Sequence, residues 1–316
     1  MPSERSNTLP DDYRQALAAG WLPISEVARR TGVNPVTLRA WERRYGLVVP
    51  QRTAKGHRLY SAEQLERIRR VLTWLERGVA VGKVRDLLDE PPRAAAETHS
   101  PWDDLRQQAL SAIARLDEQR LDELFNGALS IYPAQTLCEH LMLPLQRDLQ
   151  LRWQGQFGSG LERLLYHSWL RSKLGGRLYH YNRQHQGRPL LLVNQSEHPR
   201  ETGHWLCAWL ASSAGCPVQV FDGPLSCAEI ALVEQRLNPR ALLLYSDQSL
   251  SPAQLSRLLA GCICPTLLVG ASVDIHAQEL ADLQRESHPG LHLAQDPLQA
   301  RATLHALGLL NSGGGE

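Results

Sequence analysis

The chain has 316 residues, 43% hydrophobic and 21% charged. That composition excludes a lone small module and a wholly disordered polymer and, at about 100–200 residues per domain, points to two or three domains. The net charge is only +1, but residues 21–90 hold fourteen Lys/Arg against eight Asp/Glu, a net +6 that leaves −5 for the rest, so an anionic partner is expected at one end alone.

In chain order, residues 1–20 read as a polar tail without the apolar core of a signal peptide. Ser25–Arg30 begins a helical segment at 21–90, with a turn at Thr31-Gly32-Val33 and then Asn34-Pro35, an N-cap followed by proline at the first helical position. The next helix runs to about Arg44 and puts Leu38, Trp41 and Tyr45 on one face, which makes Trp41 a core residue. Val48-Val49-Pro50 reads as extended, with a hairpin around Ala54-Lys55-Gly56 and a return through Arg58-Leu59-Tyr60. Ser61-Ala62-Glu63-Gln64 is a capping box opening a helix to Arg77-Gly78, and a short helix with Val81, Val84, Leu87 and Leu88 follows. Pro91-Pro92 starts a linker over 91–101.

Residues 102–186 show a helical period in four pieces, beginning near Trp102, Glu118, Ala134 and Leu161, as in a four-helix bundle. Over 187–310 the texture changes. Candidate strands Leu190–Val193, Val218–Phe221, Ala241–Tyr245, Thr266–Val269 and Leu291–Ala294 alternate with helices near 201–213, 228–237, 252–260, 276–285 and 297–309. Five such units predict a flavodoxin-like, five-stranded parallel sheet, doubly wound, and a Gly-rich tail closes the chain at 311–316. The expected fold class is multidomain α and α/β.

Helix, glycine turn, Asn-capped helix, basic hairpin and helix form a winged helix-turn-helix pattern. In a major groove, Arg39 and Arg43 would meet phosphates or guanine edges and Thr37 a thymine methyl, with Arg44 beside them. Gly56 permits a positive φ at the hairpin tip, where Arg52, Lys55, His57 and Arg58 stand as wing contacts to backbone or minor groove. The run Pro23-Ile24-Ser25-Glu26-Val27-Ala28, Gly32-Val33, Thr37-Leu38-Arg39-Ala40-Trp41-Glu42, Gly46-Leu47, Pro50, Arg52-Thr53 and Gly56-His57-Arg58-Leu59-Tyr60 resembles the DNA-binding domain of the MerR family. The resemblance implies a two-fold dimer on double-stranded promoter DNA, often with the DNA bent or untwisted, and an indirect effect on RNA polymerase. Many members continue into a long dimerisation helix, which Pro91-Pro92 interrupts here, so a homodimer is expected to form through the downstream body or on DNA.

The whole arrangement also resembles light-sensing repressors of this family that hold adenosylcobalamin between bundle and sheet. That resemblance implies a cobalt-ligating His in the loop after the first strand, a Gly beyond it, and a bundle Trp followed by Glu-His. The corresponding candidates are Trp153, Glu162, His198 and Gly203. They depart from the pattern: Pro199 follows His198, Gly203 comes five positions on, and Arg163 stands where histidine would follow Glu162. Ser246 and Gly270-Ala271 only echo the elements that receive the nucleotide tail. No cofactor is therefore expected. The head motifs together with Tyr132-Pro133-Ala134-Gln135-Thr136-Leu137 and Pro144-Leu145 look like a cobalamin-free branch that activates curli and biofilm genes in enteric bacteria. The alternative is an adenosylcobalamin-dependent, light-responsive regulator.

An enzyme is not expected, because no P-loop, GxGxxG, HExxH or nucleophile elbow occurs. Six cysteines without CxxC spacing fit reduced thiols in the cytoplasm, and Cys262-Ile263-Cys264 reads as buried thiols rather than a metal sensor. No run of about 18 apolar residues offers a membrane span. The carboxyl ends of the strands, at 194–198, 222–223, 246–247 and 270–271, outline a crevice for an unknown small-molecule effector, and a protein effector is equally open.

Overall fold

The structure is a computed structural model that describes residues 16–53, 55–89, 100–154, 158–196, 202–250, 252–260, 262–286 and 288–310. His198, most of the expected polar tail and linker, Ala54 at the hairpin and the C-terminal tail lie outside the described residues. The chain divides into two compact units: Met1–Ala109 with Asp122–Leu141, and Leu110–Leu121 with Met142–Glu316. The helical segment 102–186 is thus shared between them.

In the first unit, β1 (Leu22–Pro23) leads into α1 (Ile24–Thr31), which stops at Gly32 in the left-handed region. Asn34 then caps α2 (Pro35–Ala40) by accepting from the Val36 amide at 2.8 Å. The helical backbone reaches Arg44 as expected but changes type on the way: Trp41–Tyr45 continue as a π-helical turn closed at Gly46. The extended segment expected at Val48-Val49-Pro50 begins instead at β2 (Gln51–Arg52). Val48 and Pro50 are buried, and proline has no N–H to give a ladder. β3 (Arg58–Tyr60) pairs antiparallel with both β1 and β2. The capping box forms as read, with Ser61 and Gln64 exchanging hydrogen bonds at the start of α3 (Ala62–Glu76), and α4 (Val81–Asp89) follows. Val27, Val33, Leu38, Trp41, Leu47, Leu59, Leu65 and Ile68 fill the core, each large side chain contributing roughly 1.5–3 kcal/mol by leaving water.

The four expected helical pieces are α5 (Pro101–Ala114), α6 (Glu118–Leu129), α7 (Ala134–Leu137) running through a π-helical turn into α8 (Leu143–Trp153), and α9 (Ser159–Asn182). The stretch Asp122–Leu141 belongs to the first unit. Its Ile131 carbonyl accepts the Trp41 indole N–H at 2.8 Å, and Tyr132 packs on Trp102 with ring centroids 4.3 Å apart.

The second unit contains a five-stranded parallel sheet. Its strands are β4 (Leu190–Asn194), β5 (Val218–Phe221), β6 (Ala241–Tyr245), β7 (Thr266–Val269) and β8 (Leu291–Ala294), in the order β5-β4-β6-β7-β8. Alternation along the strands supplies both faces. Leu190, Leu192, Leu243 and Leu267 pack toward α10 (Gly203–Ser213) and α15 (Pro297–Ala306). Leu191, Val193, Leu242 and Leu268 pack toward α11 (Cys227–Leu237), α12 (Pro252–Leu259) and α14 (Ala277–Glu286). A short α13 (Ala271–Ile275) precedes α14. The chain leaves β4 for β5 on one side and returns to β6 on the other, so a crevice opens between the carboxyl ends of β4 and β6, where Asn194 pairs with Tyr245.

Candidate nucleic-acid interface

The fixed start of α2 determines which side chains face outward. Thr37, Leu38 and Trp41 are buried, whereas Val36, Arg39 and Arg43 are exposed. Spacings of three, four and seven residues place Val36, Arg39 and Arg43 on one side of the helical turn. This corrects the expectation for Thr37: it is 1% exposed and packs inward, so its methyl is not offered to a base. Val36, 55% exposed in the first turn, is the apolar side chain that faces outward there and was missed because apolar side chains are sought in cores. Arg39, Arg43 and the exposed Arg44 have no ion pair among the described residues.

The wing is built on the β2–β3 register, in which Arg52 stands directly opposite Arg58. Its tip closes through Gly56 N–H to Thr53 O at 2.8 Å and Thr53 N–H to His57 O at 3.0 Å, with Gly56 at φ +82°, a conformation that favours glycine. Lys55 and His57 are exposed there, as is Arg52, while Arg58 is largely covered. Glu42, on the π-helical turn, receives Arg58 Nε at 2.5 Å and Arg52 Nη2 at 2.6 Å. Burial opposes ionisation of Glu42, but hydrogen bonds from Arg58 and Arg52 outweigh it and hold the carboxyl below its ordinary value. Nearby, burial pushes the Tyr60 phenol up to about 12, with the Glu42 charge adding to the effect. Sequence reasoning did not single out Glu42, whose partners lie ten and sixteen residues away.

In the second unit, a cavity of about 300 Å³ lies beside the start of α10 and the end of β6, lined by Gln146, Trp153, Arg163, Thr202, Gly203 and Tyr245 among others. Trp153 and Glu162 come together: Glu162 accepts the Trp153 indole N–H at 3.1 Å and both Arg152 Nε and Nη2 at 3.0 Å. Arg163 covers the Trp153 ring, its guanidinium carbon 5.3 Å from the centroid. Gly203 is required by a close neighbour. A methyl there would overlap the Tyr245 hydroxyl and lie 2.8 Å from Cε2 of the same ring. Tyr245 in turn donates to Asp247 at 2.7 Å, and buried His204 meets Asp222 at 2.6 Å. Burial opposes ionisation of Asp222, yet His204 and Arg171 hold its carboxyl below the usual range. The departures from a corrin-binding pattern lie in this lining, where Arg163 occupies the face of the Trp153 ring and the Tyr245 ring stands against Gly203. The CxC thiols are partly covered, with Cys264 donating to the buried Glu234 at 2.8 Å. No described helix is long and apolar enough to cross a membrane.

Residues 22–91 match the MerR HTH family regulatory proteins, and residues 105–175 match the B12 binding domain. Over 242 residues the chain is 34% identical to the HTH-type transcriptional regulator MlrA of Escherichia coli (strain K12), spanning 74% of this chain and 92% of that protein. The corresponding protein of Salmonella typhimurium (strain SL1344) is 34% identical over 244 residues, 75% of this chain and 93% of its own length. The HTH-type transcriptional repressor CarA of Myxococcus xanthus is 34% identical over 134 residues, 42% of this chain and 45% of that protein.

Proposed function

Because the chain belongs to the MerR family of HTH-type transcriptional regulators, we propose that it grips a two-fold symmetric promoter site as a homodimer, with α2 in the major groove and the wing on the flanking backbone or minor groove. Its relatives are named regulators of transcription, not enzymes. In this reading Arg39 and Arg43 reach base edges or phosphates, Val36 makes an apolar base contact, and Arg44, Arg52, Lys55, His57 and Arg58 serve the phosphates or the wing. The supporting observation is the outward row of Val36, Arg39 and Arg43 beside an arginine-bearing wing. The protein acts in the cytoplasm, affects RNA polymerase through the promoter, and has extracellular-matrix genes of the curli and biofilm type as its targets.

The experiment is selection of duplexes from a random pool by the full-length protein, followed by genome-wide occupancy. An enriched inverted repeat is expected. Arg39→Ala and Arg43→Ala should each weaken binding to it by about tenfold, in line with roughly 1–3 kcal/mol for a base-reading arginine. An unenriched pool, or variants that bind like the parent, refutes the reading.

The match of residues 105–175 to the B12 binding domain favours a second reading, corrinoid-dependent control. We propose control without corrinoid, supported by Arg163 on Trp153 and Tyr245 under α10. Titration with adenosylcobalamin and methylcobalamin in darkness, then gel filtration with absorbance, decides between them. Stoichiometric co-elution lost in His198→Ala overturns the corrinoid-free reading.

A further inference from the structure

Two arginines directly opposite each other on an antiparallel pair repel unless something neutralises them. In the wing, Arg52 and Arg58 are such a pair, and one carboxylate, Glu42, binds both. That carboxylate comes from the turn that continues the recognition helix, so the two ion pairs tie wing to helix across ten and sixteen residues. The Glu42 side chain is 13% exposed and that of Arg58 12%, whereas Arg52 is 48% exposed. The contact is therefore largely shielded from salt on one side and open on the other.

Each guanidinium has five N–H donors. Arg58 gives Nε to Glu42 while its Nη2 is buried without a hydrogen-bond partner, and the more open Arg52 gives a single Nη2 hydrogen. The donors left over on the 48% exposed Arg52 stand open at the base of the wing, on a guanidinium whose placement Glu42 fixes, and such donors are what phosphate oxygens accept from.

We propose that Glu42 is a positioning residue of the DNA interface, a shared counterion that sets Arg52 and Arg58 against the recognition helix so that losing its negative charge weakens specific DNA binding. The proposal rests on the winged-helix reading above. Its sign is opposite to that of the bulk field, because removing an acid from a basic surface raises the attraction for any duplex. An ion pair that served folding alone would change stability and leave the phosphate contacts of the folded protein intact.

The experiment uses the full chain, the duplex it enriches from a random pool, and a scrambled duplex of equal length. With Glu42→Gln, binding to the enriched duplex should weaken about tenfold, and the slope of log affinity on log salt should fall by about 1 as the Arg52 phosphate contact is lost. Binding to the scrambled duplex should be unchanged or tighter. Glu42→Asp keeps the charge on a shorter arm that cannot hold both partners, and should also weaken specific binding. It serves as the test if circular dichroism shows Glu42→Gln unfolded. Arg52→Gln should cost less than Glu42→Gln, and the double variant no more than Glu42→Gln alone. Specific binding by Glu42→Gln or folded Glu42→Asp as tight as the parent's, an unchanged salt slope, or additive losses in the double variant would overturn the proposal. A parent chain that enriches no duplex would instead sink the DNA-binding reading itself.

Discussion

Replacing Gly203 by alanine tests the packing at the switch point of the sheet. The added methyl would overlap the Tyr245 phenol oxygen and come within 2.8 Å of Cε2, so the ring must move. Overpacking of this kind costs roughly 1–3 kcal/mol. Displacing the ring also breaks the 2.7 Å hydrogen bond to Asp247, and a bond to a charged acceptor is worth roughly 1.5–3 kcal/mol. Gly203→Ala should therefore destabilise the second unit by about 4 kcal/mol. Tyr245→Leu removes the obstruction and has its own cost. The double variant should be no less stable than Tyr245→Leu alone, giving a coupling of about 4 kcal/mol, the full cost of Gly203→Ala. Urea unfolding of the full chain, followed by far-ultraviolet circular dichroism, measures all four proteins. A Gly203→Ala midpoint equal to the parent's, or strictly additive losses, would refute the argument and reopen the question of what that glycine is for.

Three further outcomes are expected. Hydrogen bonds from Arg29 and Arg30 draw the Glu26 carboxyl from 4.5 down to about 2, and Glu42 is lowered as well. Both depressed values mean stability that is fully present above about pH 5 and lost as pH falls through the folded values. For the exposed Glu26 pair the effect is a few tenths of a kcal/mol. Urea midpoints between pH 7 and pH 3 should fall less steeply in Glu26→Gln than in the parent, and parallel curves would contradict this. Trp41→Phe leaves the Ile131 carbonyl without its 2.8 Å donor and should cost about 1–3 kcal/mol, read as a lower urea midpoint; an unchanged midpoint counts against the contact. Burial and the Glu234 charge push the Cys262 thiol up to about 12, and Cys264 is raised for the same reasons. Because the thiolate is the reactive form, neither should label with a thiol–disulfide reagent at pH 8 before denaturant is added, and rapid native labelling at either would refute this.

Much of this was legible along the chain because its signals are local. Asn34-Pro35, the Ser61–Gln64 box and the five apolar strands each carry their cause within a few residues, and each forms at its expected position. The orientation of Thr37 was not legible. The six-residue α2 passes into a π-helical turn, so the 3.6-residue period covers too few positions to fix the phase. The Glu42 clamp and the approach of Gly203 to Tyr245 depend on partners brought together by the hairpin and by a βα crossover, and no spacing rule reports such meetings. Resemblance supplied Trp153 and Glu162. It was silent on Arg163 stacking over the indole, which needs the relative rotation of two helices.

The bond from Trp41 to Ile131 bears on how this protein can be taken apart. A chimera cut within 91–101 would carry away Trp41 but leave behind the carbonyl that holds its indole, along with Tyr132, which lies against Trp102 and accepts from the Val81 amide. The first compact unit is discontinuous in sequence, since Asp122–Leu141 returns to it after the chain has passed through Leu110–Leu121. A graft onto another sensor body would have to bring that returning stretch with it, and a library of fusions should place its junction after Leu141 instead of at the prolines.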